Sequence, residues 1–165
     1  MKIYLASRYS RRIELCGHRK RLEELGHVIT SRWLNGGHQI SDVGVPLGEN
    51  GESLIEGDDG STDVRSASLR SKFAYDDLED VIASECLIAF TEPPRSNASR
   101  GGRHVELGIA IGLKNPVIIV GPRENIFCWL DEDRVRHFET FDELMAAFPS
   151  RVVNEMHAHG RRGCE

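Results

Sequence analysis

The stretch of this chain best suited to chemistry is Arg100-Gly101-Gly102-Arg103-His104-Val105-Glu106-Leu107-Gly108. It follows the apolar run Cys86-Leu87-Ile88-Ala89-Phe90 and opens a segment of helical periodicity. Two adjacent glycines let the chain turn tightly and let a ligand approach the main chain. A helix that begins there presents free N–H groups and the positive end of its macrodipole, which favour an ionised carboxylate nearby. Glu106, four residues after Gly102, is therefore expected to be charged and aimed into a backbone cup. Such a carboxylate suits nucleophilic attack on an electrophilic carbon, the anomeric carbon of a sugar being the natural case. By position alone Glu106 reads equally well as an acid that stabilises the helix dipole. The paired glycines and the strand-end placement favour the chemical reading.

Asp77 is the second carboxylate. On a helical wheel it lies beside Ala74 and Val81 at the edge of the apolar face, while Asp76, Glu79 and Asp80 are expected to point to solvent. An acid next to a core face is either satisfied by a neighbouring group or held for function. Ser7, Arg8, Ser10, Arg11 and Arg12 follow the first strand and open the first helix, where hydroxyl and guanidinium groups make a plausible phosphate site. Arg100 and Arg103 add positive charge beside the Gly-Gly cup, which points to an anionic ligand in a chain that is acidic overall. Tyr4 falls inside the first strand, and its hydroxyl needs a partner if it is buried. Trp33 is placed either to stack on a planar base or to pack against the loop that follows. His157 and His159 lack further ligands at useful spacing, and Asp58, Asp59 and Asp63 do not match a calcium loop. No metal or organic cofactor is implied.

These residues are carried by strands alternating with helices. Residues 3–6 read as a buried strand, 7–25 as a helix ended by Gly26, and 27–31 as a second strand. Residues 35–63 are rich in Gly, Asp, Ser and Glu without a sustained period, and are expected to form a mobile insertion or lid over the ligand. Helical periodicity returns from residue 64, with Ser71, Ala74, Leu78, Val81 and Ile82 on the inferred core face. A third strand at 86–90, a helix at 102–114 and an apolar strand at 117–120 follow. A short fifth strand at 134–138 and a last helix at 141–148 complete the pattern. This predicts an α/β fold: a single doubly wound, flavodoxin- or Rossmann-like domain over residues 1–150, with about five parallel strands and helices on both faces. Residues 151–165 read as a frayed tail. Ligands in such folds bind at the carboxyl ends of the strands, where residues 7–12, 91–106 and 121–125 should converge.

The bulk properties bound the function. A chain of 165 residues with 39% apolar and 28% charged residues is that of one globular domain. The net charge of −5 argues against a nucleic acid polymer as partner. No apolar run approaches the roughly 18 residues of a membrane span. Cys16, Cys86, Cys128 and Cys164 are widely spaced, which suggests free, mostly buried thiols and a reducing, cytoplasmic setting.

Four short motifs in this order resemble the nucleoside 2-deoxyribosyltransferase superfamily. They are Ile3-Tyr4-Leu5-Ala6, Asp77-Leu78 eight residues before Glu85-Cys86, Gly-x-x-x-Glu-Leu-Gly from Gly102 to Gly108, and Lys-x-Pro-Val from Lys114 to Val117. That superfamily includes base-exchanging deoxyribosyltransferases and the 2'-deoxynucleoside 5'-phosphate N-hydrolases, and the resemblance covers about residues 2–125. It implies that Glu106 is a nucleophile forming a covalent glycosyl intermediate, that Asp77 handles the proton of the leaving base, and that Tyr4 orients Glu106. Six residues before the nucleophile the transferases carry an Asp and the phosphate hydrolases a Ser, whereas this chain carries Arg100. Arg at that place favours a phosphate.

The expected ligand is thus a small nucleotide or nucleoside, with Ser7, Arg8, Trp33, Arg100, Gly101 and Gly102 as binding residues. The resemblance also implies a homodimer or higher homo-oligomer, with Asn125 as a candidate contribution from a neighbouring subunit. Two other readings stand beside N-glycosidic cleavage: base exchange between deoxynucleosides, and a non-catalytic nucleotide sensor. A flavin or dinucleotide protein is disfavoured by the missing Gly-x-Gly-x-x-Gly after the first strand.

Overall fold

Three runs of consecutive apolar residues set the sheet, because a strand covered on both faces has no polar side to show. The computed structural model describes residues 1–36, 64–92 and 101–148. Strand β1 (Lys2–Ala6), β3 (Cys86–Phe90) and β4 (Val117–Val120) are buried almost throughout. The two-residue β2 (Val28–Ile29) and the less buried β5 (Val135–Phe138) form the edges. The strands lie in the order β2-β1-β3-β4-β5, and every pairing is parallel. This is the doubly wound α/β fold expected, with the strand order of the flavodoxin-like class.

Four helices cross between or follow these strands: α1 (Arg12–Glu24), α2 (Val64–Ile82), α3 (Gly102–Gly112) and α4 (Phe141–Ala147). Parallel strands require right-handed crossovers, and with the order reversing between β1 and β3 these set α1 against one face and α2 and α3 against the other. The packing agrees. His18 of α1 stacks on Phe141 of α4 at 3.9 Å between ring centroids, and Arg21 pairs with Asp142 at 2.7 Å. α2 and α3 pack on each other. Helix α3 is capped at its start by Gly101, whose φ of 87° is the left-handed geometry that glycine supplies without strain.

The second strand is shorter than the expected 27–31 span. Beyond Ile29 the chain bends beside β1, where the Ser31 hydroxyl accepts from Leu5 N–H at 2.7 Å and replaces a ladder bond. A 3-10 turn, Arg32–Asn35, follows. The proposed lid lies outside the described residues apart from Asn35 and Gly36, as does the tail. Cys86 and Cys128 are buried free thiols, whereas Cys16 is only partly buried, and Cys164 is outside the described residues. Among the described residues, no helix is long and apolar enough to cross a membrane.

Candidate active site

The topological switch lies between β1 and β3, and three polar side chains meet there. Tyr4 points from β1 toward α3, and its hydroxyl donates to Glu106 Oε1 at 2.9 Å. Asp77 of α2 completes the group, and its charge acts on both Tyr4 and Glu106. Glu106 Oε2 and Asp77 Oδ1 are shielded from solvent and have no hydrogen-bond partner. Buried carboxyl oxygens without partners are costly, and such atoms are what a site waiting for a ligand contains.

Burial sets the protonation of this group. It raises the Glu106 carboxyl to about 8, with Asp77 adding to the rise, while the Tyr4 hydrogen bond and the Arg103 charge oppose it. Burial likewise raises Asp77 to about 7, with Asp80 and Asp76 adding to the rise and Arg32 opposing it. The Tyr4 phenol is pushed up by its own burial and then by the two carboxyls, so it stays a hydrogen-bond donor. The expectation that the helix start keeps Glu106 ionised is therefore corrected: loss of solvation and the neighbouring acid outweigh the dipole. Near neutrality the pair carries a shared proton that belongs to both carboxyls. Tyr4 favours the charged form of both carboxyls and Arg103 that of Glu106, so the pair can hold one charge and one proton between them. One charged and one protonated carboxyl is the division of labour that nucleophilic displacement with acid assistance needs.

The environment of Asp77 differs from the helical-wheel reading. Asp80 is buried rather than solvent-facing, and it accepts from Arg32 Nε and from Arg32 backbone N–H, each at 2.7 Å. Asp76 is half-buried and accepts from Arg32 Nη1 at 3.1 Å. Of the four acids from 76 to 80, Glu79 does remain exposed, and it pairs with Arg32 at 3.0 Å. The face expected to be the core stripe is open: Ser71, Ala74, Leu78 and Ile82 are exposed, and only Val81 is buried.

Other expected binding residues fall into place unequally. Ser7 ends β1 with its hydroxyl shielded and unpartnered. Arg8 donates to Ser10 at 2.7 Å and faces Glu92 at 3.9 Å. Arg11 is tied to Glu14 and Glu92, and Arg12 donates to Leu34 C=O at 3.1 Å. Among the described residues, nothing stands within 4 Å of where a Cβ would lie at Gly101 and Gly102. Arg100 lies outside the described residues. Trp33 is a correction: its indole is 5% exposed and donates to Leu5 C=O at 2.9 Å. Tyr9 packs against it with ring centroids 6.1 Å apart. Its hydrogen bond and burial make it a support under the end of β1 rather than a stacking platform. Asn125 caps a 3-10 turn by accepting from Phe127 N–H, and lies 3.3 Å from His104 of α3.

Sequence reasoning misses one pair altogether. Arg103 is buried, and its Nε and Nη2 donate to Glu124 at 3.0 and 2.6 Å. The nearest signal is an acid in Gly-Pro-Arg-Glu-Asn, directly after the apolar fourth strand. A separate cavity of about 320 Å³ opens on the opposite face of the sheet, lined among others by Arg11, His18, Arg21, Phe90 and Phe141. None of Tyr4, Asp77 and Glu106 lines it, so it is not the place of the carboxyl chemistry.

Fold and site together define a doubly wound α/β protein with a buried Tyr–Glu–Asp cluster at its switch point. Among solved structures it is similar to the 2-deoxyribosyltransferase of Bacillus psychrosaccharolyticus, with a TM-score of 0.56 and 22% identity over 87% of this chain and 90% of that one. It is also similar to the CMP N-glycosidase of Clostridium botulinum, with a TM-score of 0.52 and 14% identity over 90% of this chain and 98% of that one. At these identities the likeness is one of fold. No family model matches the chain, and no curated protein matches its sequence.

Proposed function

We propose that this chain is an enzyme that cleaves the N-glycosidic bond of a 2'-deoxynucleoside 5'-monophosphate or a close relative. The observation that carries the reading is the buried cluster in which Tyr4 holds one oxygen of Glu106 while the other, like Asp77 Oδ1, has no partner. The free Glu106 oxygen attacks the anomeric carbon as the bond to the base nitrogen breaks. The bonding electrons leave with the base, and Asp77 supplies the proton the base needs. Water then attacks the glycosyl ester, Glu106 leaves as a carboxylate, and the water's proton returns to Asp77. Both structural neighbours are named for chemistry at this type of bond.

The 5'-phosphate is assigned to Ser7, Arg8 and Arg100, with the backbone at Gly101 and Gly102 beside it. Support comes from the unpartnered Ser7 hydroxyl at the end of β1. Trp33 and Asn125 are given no direct contact with substrate in their own subunit. The chain is proposed to act as a homodimer, in keeping with the exposed apolar side chains Tyr75, Leu78 and Ile82 of α2 and Val105 of α3; light scattering checks it.

Base exchange is the second reading, favoured by the likeness to a deoxyribosyltransferase. One experiment addresses both. The protein is incubated with a panel of nucleotides and nucleosides, with and without a second free base, and products are separated chromatographically. Free base from 5'-monophosphates, unchanged by the acceptor, supports hydrolysis. A new nucleoside formed with the acceptor supports exchange. Tight binding with no base released across the panel would leave a nucleotide sensor and overturn the enzymatic reading.

A further inference from the structure

Arg103 and Glu106 sit one turn apart on α3, where side chains three residues apart are neighbours. Each carries a buried atom without a partner: Nη1 of Arg103, a donor, and Oε2 of Glu106, an acceptor. Two such complementary atoms on adjacent turns would ordinarily join. Here Glu124, from the segment after β4, holds the other two guanidinium nitrogens at 3.0 and 2.6 Å. The side chains of this pair are 2% and 8% exposed, so the clamp is inside the protein. Glu124 also accepts from Glu92 N–H at 3.3 Å and stands 3.6 Å from His104 Nδ1. One carboxylate therefore fastens the end of β3, the first turn of α3 and the segment after β4.

We propose that Arg103, parked on Glu124, is a positioning residue for Glu106: its charge lies near enough to favour the ionised carboxylate, while Glu124 keeps it from bonding and blunting the attacking oxygen. The arrangement solves a conflict that any buried nucleophilic carboxylate faces. Without a nearby cation, burial keeps the carboxyl protonated. With a direct Arg–carboxylate fork, the lone pairs needed for attack are occupied. A cation held beside the nucleophile by a second acid eases the first difficulty and avoids the second. The groups facing Glu106 are Tyr4 from β1, Asp77 from α2 and Arg103 from α3, with Arg32, Asp76 and Asp80 acting through Asp77. Among them only Tyr4 and Arg103 act directly on Glu106 to favour its charged form, which agrees with the causes that set its carboxyl.

The proposal rests on Glu106 as nucleophile, so its test includes a readout that does not require activity. Full-length protein labelled with carboxyl-13C glutamate is titrated by NMR, with Glu106 assigned by its disappearance in Glu106→Gln. Glu124→Gln leaves the Arg103 charge uncompensated and should lower the Glu106 midpoint by about one pH unit. The neutral pair Arg103→Met with Glu124→Gln should raise it by a smaller amount, a few tenths of a pH unit or about twofold in the ionised fraction, and Arg103→Lys should stay closer to wild type than the Met variant. Where the wild type releases base, the alkaline limb of its pH profile should move with the midpoint. A Glu106 midpoint that stays put in variants that melt cooperatively would overturn the proposal and leave only a structural clamp. If the Met double variant does not fold, the direction of the Glu124→Gln shift alone decides. Absence of base release in the wild type would sink the functional reading instead, while the titration still decides the role of Arg103.

Discussion

Tyr4→Phe isolates one bond of the cluster. The Tyr4 ring is fully buried, and Phe keeps its shape and packing while removing only the hydroxyl that donates to Glu106 at 2.9 Å. Both Glu106 oxygens are then buried without a donor. A hydrogen bond to a charged group contributes about 1.5–3 kcal/mol, and one pKa unit corresponds to about 1.4 kcal/mol. The carboxyl, already raised to about 8, should therefore move up by about one to two further units. At neutral pH the ionised fraction falls by the same factor, so base release should drop about 10- to 100-fold. The assay is base release against pH at low substrate, because kcat/KM reports the free enzyme. The alkaline limb, set by Glu106, should shift to higher pH so that the loss shrinks there, while the acidic limb, set by Asp77 as the first carboxyl to ionise, moves little. An equal fall at every pH with the alkaline limb unmoved, or no fall at all, would refute the claim that Tyr4 acts through the charge of Glu106.

Further predictions follow from the same geometry. Glu106 and Asp77 both have folded-state pKa values raised above their ordinary ones, to about 8 and about 7. The stability tied to their protonated forms is thus present at acid pH and lost as pH rises through those values. Glu106→Gln should accordingly abolish turnover yet melt above wild type, with a gap that widens between about pH 5 and about pH 9 in calorimetry. Gly121→Ala should cost about 2–4 kcal/mol in denaturant unfolding, since Gly121 has a φ of 105° and a Cβ there would stand 2.9 Å from Thr91 Oγ1. Trp33→Phe should lower stability by about 1–3 kcal/mol by removing the indole's buried hydrogen bond to Leu5 C=O and part of its packing, and should leave KM unchanged; a large rise in KM would restore Trp33 as a substrate contact. Arg100→Ala and Ser7→Ala should each weaken nucleotide binding by about 10- to 100-fold with little effect on nucleosides, measured by calorimetry at two salt concentrations.

Most of the fold is legible in this sequence because its strands are unusually plain. Cys86-Leu87-Ile88-Ala89-Phe90 and Val117-Ile118-Ile119-Val120 are covered on both faces. Only a parallel sheet between helix layers asks for such runs. The last helix is equally plain in its periodicity, whereas its cap, the Thr140 hydroxyl accepting from Glu143 N–H, shows only in the structure. The second strand is less readable. Val28 and Ile29 lie on an edge with little burial, and the chain leaves the ladder through side-chain bonds of Ser31 that no periodicity encodes. Glu106 and Tyr4 stand out because each sits in a strongly patterned element. Glu124 does not, because its partner Arg103 is distant in sequence and both look like surface charges until they are brought together.

Helix α2 shows more sharply where pattern reading fails. Its inward stripe passes through Asp77, Asp80, Val81 and, just past its end, Ser84, and is mostly polar, while Leu78 and Ile82 face outward. A hydrophobic wheel assumes that burial and apolarity coincide. They separate here because Arg32 neutralises the buried acids: it holds Asp80 through its side chain and backbone and Asp76 through Nη1. That pairing in turn leaves Asp77 as the acid of the stripe with an oxygen shielded and unpartnered. Burial, and then the charges of Asp80 and Asp76 that Arg32 offsets only in part, make Asp77 hold its proton more tightly than a free acid, which is the property a proton donor needs. The same choice of residues that hides the core face of α2 from the sequence thus gives Asp77 its chemistry.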